Sequence, residues 1–180
     1  SAIGDAAAPL SSSIGKLLGR IASCARIITA TIFERQRMID AKLQELGLQL
    51  PAFTAPMFDY VPVTVQQHTA YVSGQIPRTP DGVLCTGKLG AEVSLEKGQE
   101  AARLCILHGL SALKHTVGSL DRIERILKVT GFVASANGFT QQPQVIDAAS
   151  GLLKAVFGEI GRHARSAIGV AELPRGVPVE

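Results

Sequence analysis

Two short stretches carry residue types from which a small-ligand site can be built. The first is Tyr71-Val72-Ser73-Gly74-Gln75-Ile76-Pro77, a β-rich run that ends in glycine, an amide and proline. A glycine at such an exit lets backbone approach a ligand closely. A plain strand-exit bend would use the same residues. The second is His163-Ala164-Arg165-Ser166-Ala167-Ile168-Gly169-Val170-Ala171-Glu172-Leu173-Pro174, where Arg165 stands at the entrance to an apolar run. An arginine there offers a planar fork for a carboxylate, with a solvated strand-end arginine as the competing reading.

Other chemistries lack their residues. There is no Gly-x-Ser-x-Gly, no phosphate-cradling glycine loop, no His-Glu-x-x-His and no Cys-x-x-Cys. His68, His108, His115 and His163 have no metal-ligand spacing. His108 and His115 can share a helix face, but no third partner accompanies them. Cys85 and Cys105 read as small apolar residues. No metal site is expected.

The elements that must position these stretches follow from periodicity. Tyr60–Val65 alternates as a strand, Thr69–Ser73 is a second, and Gln66-Gln67-His68 between them suits a hairpin. Pro77 to Gly82 is a loop with Pro80-Asp81-Gly82 as its turn, and Val83–Thr86 is a short third strand. Ser94 caps a long helix that runs to Val117 and ends at Gly118, with Ala102, Ile106, Leu110, Leu113 and Val117 three or four apart. Arg125–Ala134 is a strand apolar on both sides, so burial on both faces is expected. Gln141–Phe157 is a second helix, with Pro143 in its first turn and Gly158 near its end. Ser166–Ala171 and Val177–Glu180 are the last strands. The order β-β-(β)-α-β-α-β-β implies an α+β domain: one mixed sheet with both helices on one face. The other face needs cover from the N-terminal segment or from a subunit partner.

Composition narrows the class. The 180 residues are 46% hydrophobic and only 18% charged, with a net charge of +3, which suits one domain and excludes a disordered chain. Aromatics are 4% and Trp is absent, so stacking platforms for single-stranded nucleic acid are lacking and such a partner is not expected. Three Cys form neither a disulfide framework nor a zinc site, and a reduced intracellular compartment fits them. The longest apolar run, Ile27–Phe33, is far short of the roughly 18–20 residues of a membrane helix. So few charges over such a core suggest that part of the surface is buried against copies of the chain.

Residues 1–33 differ from the rest. Asp5 is the one acid before Glu34, serines cluster at 11–13, and Ile14, Leu17, Leu18 and Ile21 recur at helical spacing away from Lys16 and Arg20. That pattern belongs to a mitochondrial or plastid presequence, and equally to an amphipathic helix that packs on its own domain or on a larger assembly. A mitochondrial address is the first expectation, with cytoplasm or plastid as alternatives. A helix over residues 34–46 follows, closed by Gly47, and Pro51 and Pro56 mark an extended lead-in. The expected division is an N-terminal extension, 1–50, and a globular domain, 51–180.

Four segments together are similar to one family. They are Val72-Ser73-Gly74-Gln75-Ile76-Pro77, Gly118-Ser119-Leu120-Asp121-Arg122-Ile123, Lys128-Val129-Thr130-Gly131-Phe132-Val133, and Ala164-Arg165-Ser166-Ala167-Ile168-Gly169-Val170-Ala171 with Leu173-Pro174. From Tyr60 to Glu180 the chain resembles the Rid family, the reactive intermediate deaminases, also called the translation-inhibitor or endoribonuclease L-PSP family. It resembles a divergent branch with an N-terminal extension. The resemblance implies a chorismate-mutase-like fold, a homotrimer with clefts between subunits, and hydrolysis of reactive 2-imino or enamine acids to 2-oxo acids and ammonia without a cofactor. By position it makes Arg165 the binder of the substrate carboxylate. It makes Tyr60, fourteen residues before Gly74, a wall of the cleft, and Gly74 the point of close backbone approach. Glu180, fifteen residues after Arg165, becomes the general base that holds the attacking water.

The chain departs from the family pattern in three places. Ala167 stands at a small polar or thiol position. An asparagine position of the second helix falls on Asp147 in one register and on Ser150 in the other. The family's last strand runs on beyond the position of Glu180. The first two departures keep open a second reading, a non-catalytic trimeric scaffold or small-ligand-binding module in an organellar assembly. The ribonuclease label is a weaker third, because no spaced acid–base histidine pair and no aromatic-rich basic strip accompany it.

Overall fold

A computed structural model describes residues 38–180; the expected presequence, 1–33, and the first residues of the helix expected over 34–46 lie outside the described residues. The described elements are α1 (Met38–Glu45), β1 (Val63–Gln66), β2 (Thr69–Val72), β3 (Arg78–Thr79), β4 (Gly82–Val83), α2 (Leu95–Val117), β5 (Lys128–Ala134), α3 (Gln142–Phe157) and β6 (Ala164–Val170).

Helix α2 begins where the Ser94 hydroxyl accepts from the Lys97 N–H at 3.2 Å, satisfying a donor that the first turn leaves free. It ends at Gly118, whose φ of 84° lets its N–H return to the Lys114 carbonyl at 2.8 Å. Helix α3 carries Pro143 in its first turn, where a missing N–H costs nothing, and Gly158 closes it. Both helices lie on the same face of the strands. Their buried stripes, including Ala101, Cys105, Leu110 and Leu113 on α2 and Val145, Ile146, Leu153 and Val156 on α3, form the core.

Strand β5 is the centre of its own small mixed sheet, separate from the β1–β2 and β3–β4 hairpins. On one edge β6 pairs with it in parallel, Lys128 opposite Ala164 and Val129 opposite Arg165. On the other edge the last residues run antiparallel: Phe132 and Glu180 exchange both backbone hydrogen bonds at 2.9 Å, and the Ala134 N–H donates to Pro178 at 2.9 Å. Strands β1 and β2 form the expected hairpin, Val63 opposite Val72, with Gln67 at φ 53° in its turn.

Two expectations change. The short third strand does not run over Val83–Thr86. The Pro80-Asp81 turn draws Arg78–Thr79 back against Gly82–Val83, giving a two-residue hairpin, β3–β4. Burial of β5 on both faces is not met within the chain. Val129 and Val133 face the helices, whereas Lys128 and Thr130 on the opposite face are exposed. Beside them Ile168 is 46% exposed, and on the hairpin Tyr71 is 63% exposed. This second face is open along the first residues of β5, while Ala134 at its far end is buried.

The lead-in is strapped along α2. Leu43 of α1 is buried in the core. Lys114 Nζ lies 2.8 Å from both carboxylate oxygens of Asp40, and the Ile39 N–H donates to Asp121 Oδ1 at 3.0 Å. Past Leu50, the Ser111 hydroxyl donates to the Pro51 carbonyl at 2.7 Å, and Phe53 stacks on His115 with centroids 3.9 Å apart. The residues on both sides of position 50 thus lie on one helix.

A pair of glycines tests this packing. A Cβ at Gly131 would run into the Ile146 side chain, whereas one at Gly151 meets nothing within 4 Å. Gly131→Ala should destabilise by about 1–3 kcal/mol through overpacking. Gly151→Ala, inside α3, should stabilise by about 0.5–1 kcal/mol through helix propensity. Opposite shifts of Tm in a thermal melt are the expected result.

Candidate functional site

Arg165 is the second residue of β6. Its register partner Val129 points at the helices, so Arg165 does too. Its guanidinium reaches α3, where Nη1 donates to Asp147 Oδ1 at 3.1 Å and to Ser150 Oγ at 3.2 Å. Asp147 and Ser150 are three residues apart on one helix face, so the two registers left open by the sequence meet at the same guanidinium nitrogen. The Arg165 side chain is 27% exposed and Asp147 is 78% exposed. An ion pair as open as this is weak and replaceable.

Ser150 also bonds His163. Its Oγ lies 3.1 Å from Nε2, and Nδ1 lies 2.7 Å from the Gly161 carbonyl. A carbonyl only accepts, so Nδ1 carries the hydrogen. In the neutral ring Nε2 then accepts from the Ser150 hydroxyl, and that oxygen accepts from Arg165. Sequence reasoning placed no partner on His163; the contact joins α3 to the turn after it, and no spacing rule encodes it.

Glu180 lies on the other face of the sheet. It sits opposite Phe132, an odd number of residues along β5 from the partner of Arg165, so the pleat turns the two side chains to opposite sides. Its carboxylate packs on Gly74 so closely that a Cβ there would overlap it. This is the close approach for which the sequence proposed Gly74, and a side chain of this protein already occupies it. Burial pushes the Glu180 carboxyl above its ordinary range. The neighbouring Cys105 thiol is raised as well, mostly by burial and further by the Glu180 charge. The strand exit is held by Ser73 Oγ donating to the Val61 carbonyl at 2.7 Å and Gln75 Nε2 donating to the Ser73 carbonyl at 3.0 Å.

Tyr60 lines a small cleft with Phe53, Gln75, Arg78, His108 and Ser111. His108 Nε2 lies 3.0 Å from the Arg78 carbonyl at its side. Gln75 links this cleft to Gly74, its chain neighbour. The chain therefore brings Gly74 and Glu180 together and sets Tyr60 one residue away, but it leaves Arg165 across the sheet. Ala167 is half-buried against the core, filling the thiol position with a methyl group. Among the described residues no three His, Cys, Asp or Glu side chains group as metal ligands, and no helix is long and apolar enough to cross a membrane.

Residues 40–175 match the family described as "YjgF/chorismate_mutase-like, putative endoribonuclease". The chain belongs to the YjgF/Rid family. The Rid fold is accordingly the α+β, chorismate-mutase-like arrangement of helices on one side of small mixed sheets. Protein TCP17 of Trypanosoma cruzi is 46% identical over 143 residues, spanning 79% of this chain and 89% of that protein. A structure of a protein of unknown function from Agrobacterium tumefaciens superposes with a TM-score of 0.76 at 39% identity, covering 84% of this chain and 92% of the other. A "putative endoribonuclease" from Shewanella oneidensis gives a TM-score of 0.76 at 31% identity, with 79% and 94% covered.

The raised Glu180 has a consequence for stability. A carboxyl raised above its ordinary value of 4.5 binds more protons in the folded than in the unfolded protein as pH climbs past that value. Its contribution is therefore favourable in acid and is lost as pH rises through the raised value. Glu180→Gln removes the titration, so the variant should gain stability relative to wild type as pH rises above about 4.5. Denaturant melts at fixed protein concentration measure this. A difference independent of pH would show that Glu180 is not desolvated.

Proposed function

We propose that this Rid protein hydrolyses short 2-imino or enamine acids to 2-oxo acids and ammonia, in clefts shared between subunits of a homotrimer. The observation that carries the reading is the division of the site. Glu180 and Gly74 stand on the uncovered face of the sheet, and Arg165 stands on the helix face. They can meet only where one copy's β6 edge reaches the next copy's open face. Membership of the Rid family supports such an assembly, and a partner there would also cover Tyr71 and Ile168.

The chemistry follows from the groups. Arg165 keeps its Nε and Nη2 hydrogens free of partners among the described residues, and that edge can take a carboxylate through two parallel hydrogen bonds. Tyr60 and the Gly74 backbone would shape the space around a short side chain. Water adds to the iminium carbon while Glu180 accepts its proton. Glu180 returns that proton to nitrogen, the carbon–nitrogen bond of the carbinolamine breaks as its hydroxyl gives its proton back to the Glu180 carboxylate, ammonia leaves and takes that proton as ammonium, and the 2-oxo acid remains. A carboxyl raised by burial is a stronger base for this exchange than an exposed one.

The endoribonuclease description finds less support. His108 is held at Arg78, His115 stacks on Phe53, His163 bonds Ser150, and His68 lies in the hairpin turn, so the histidines are dispersed. A small-ligand module without catalysis is favoured by Asp147 on Arg165 and by Ala167. It is the conclusion if an intact trimer hydrolyses no small imine. Residues 1–33 are proposed as a mitochondrial address, and a reporter fused to them should enter mitochondria.

Ammonia release from imines made in situ by an amino-acid oxidase tests the reading. Arg165→Ala should lower kcat/KM by roughly 30- to 1,000-fold, and Arg165→Lys should rescue little because a point charge lacks the fork. Glu180→Gln should lower kcat by on the order of 100-fold. Mixing the two inactive variants under conditions that exchange subunits should restore activity to about a quarter of wild type, since one cleft in four then draws both intact residues from different copies. If mixing restores nothing while the single variants remain trimers, the site is not shared.

A further inference from the structure

We infer that Ser150 and His163 are positioning residues that aim Arg165 at its ligand. This rests on the reading of Arg165 as a carboxylate anchor. Arginine has one side-on edge, Nε with Nη2, and a second nitrogen, Nη1, that faces away from it. Both observed contacts of Arg165 are made by Nη1. A guanidinium gripped at Nη1 cannot turn about its own long axis, so the Nε/Nη2 edge is presented in one orientation before the ligand arrives.

The two Nη1 partners are not equivalent. Asp147 is 78% exposed, makes one contact, and is free to leave. Ser150 is part-buried and belongs to a chain that ends on fixed backbone: Arg165 to Ser150, Ser150 to His163, His163 to the Gly161 carbonyl at 2.7 Å. Gly161 is itself immobilised. It is buried, and a Cβ there would run into the Leu153 backbone carbonyl at the end of α3. The hydrogen-bond direction is consistent at every link. Gly161 accepts from Nδ1, Nε2 accepts from the hydroxyl, and the hydroxyl oxygen accepts from Arg165. Ser150 and His163 touch Arg165 or each other and need not touch the ligand.

The test is calorimetric titration of the intact protein with 2-oxobutanoate and, separately, with its methyl ester. The ester keeps the carbon skeleton and lacks the charge. Ser150→Ala and His163→Phe each remove one link with little change of shape. Each should weaken 2-oxobutanoate binding by about 5- to 30-fold, leave ester binding and oligomeric state unchanged, and raise KM more than they lower kcat. Ser150→Thr, which keeps the hydroxyl, should bind like wild type, and it keeps the question answerable if Ser150→Ala does not fold. If wild type binds the acid and both link-removing variants bind it equally well, the positioning role is wrong. Equal weakening for acid and ester would mean a structural role only, and would also overturn it. If wild type does not bind the acid at all, the reading of Arg165 as a carboxylate anchor fails first.

Discussion

Strand β5 is hydrogen-bonded along both edges, to β6 in parallel and to the last residues of the chain in antiparallel. Nearly everything about the site follows from that ladder. Pairing fixes the register, and the pleat then assigns each side chain to a face with no freedom left over. Val129, Val133 and Val179 go to the helices and build the core. Arg165 goes with them, because it shares a rung with Val129. Glu180 goes the other way, because it shares a rung with Phe132. A slip of one residue in the β5–β6 pairing would take Arg165 away from α3, and one in the C-terminal pairing would turn Glu180 toward the core.

The uncovered face carries the second constraint. Glu180 is desolvated there by its packing on Gly74 and on the strand exit, and burial is what raises its carboxyl. Such a carboxyl costs stability when ionised. The same face exposes Tyr71, Ile168, Lys128 and Thr130. Apolar side chains of that size beside a partly dehydrated carboxyl suit an interface better than open water.

Helix α3 serves both sides of this arrangement. Val145, Ile146, Ala149, Leu152 and Leu153 hold it on the core, and Asp147 and Ser150 occupy the turn between them where the helix looks toward β6. The core stripe sets the rotation of the helix, and the rotation delivers the two polar residues to Arg165. The 3.6-residue period thereby couples packing to site geometry. Gly131 contributes from below, since only a missing Cβ lets Ile146 settle so close to the sheet.

Elements with local signals were legible in the amino-acid order alone. Ser94 and Gly118 bound α2 because a cap hydroxyl and a left-handed glycine satisfy helix ends within a few residues. Gln67 turns the first hairpin for the same kind of reason. The family motifs likewise singled out Tyr60, Gly74, Arg165 and Glu180 as candidates. Where those candidates stand depends on long-range pairing. The β3–β4 hairpin, the open face of β5, the overlap of Gly74 with Glu180, and the Arg165–Ser150–His163 chain all join residues by pairing register or by helix rotation. Alternation along one strand says that a residue faces one of two sides; it does not say which side its neighbour's neighbour takes. That is settled by which strands pair and in what register, a long-range choice made by the packed core as a whole.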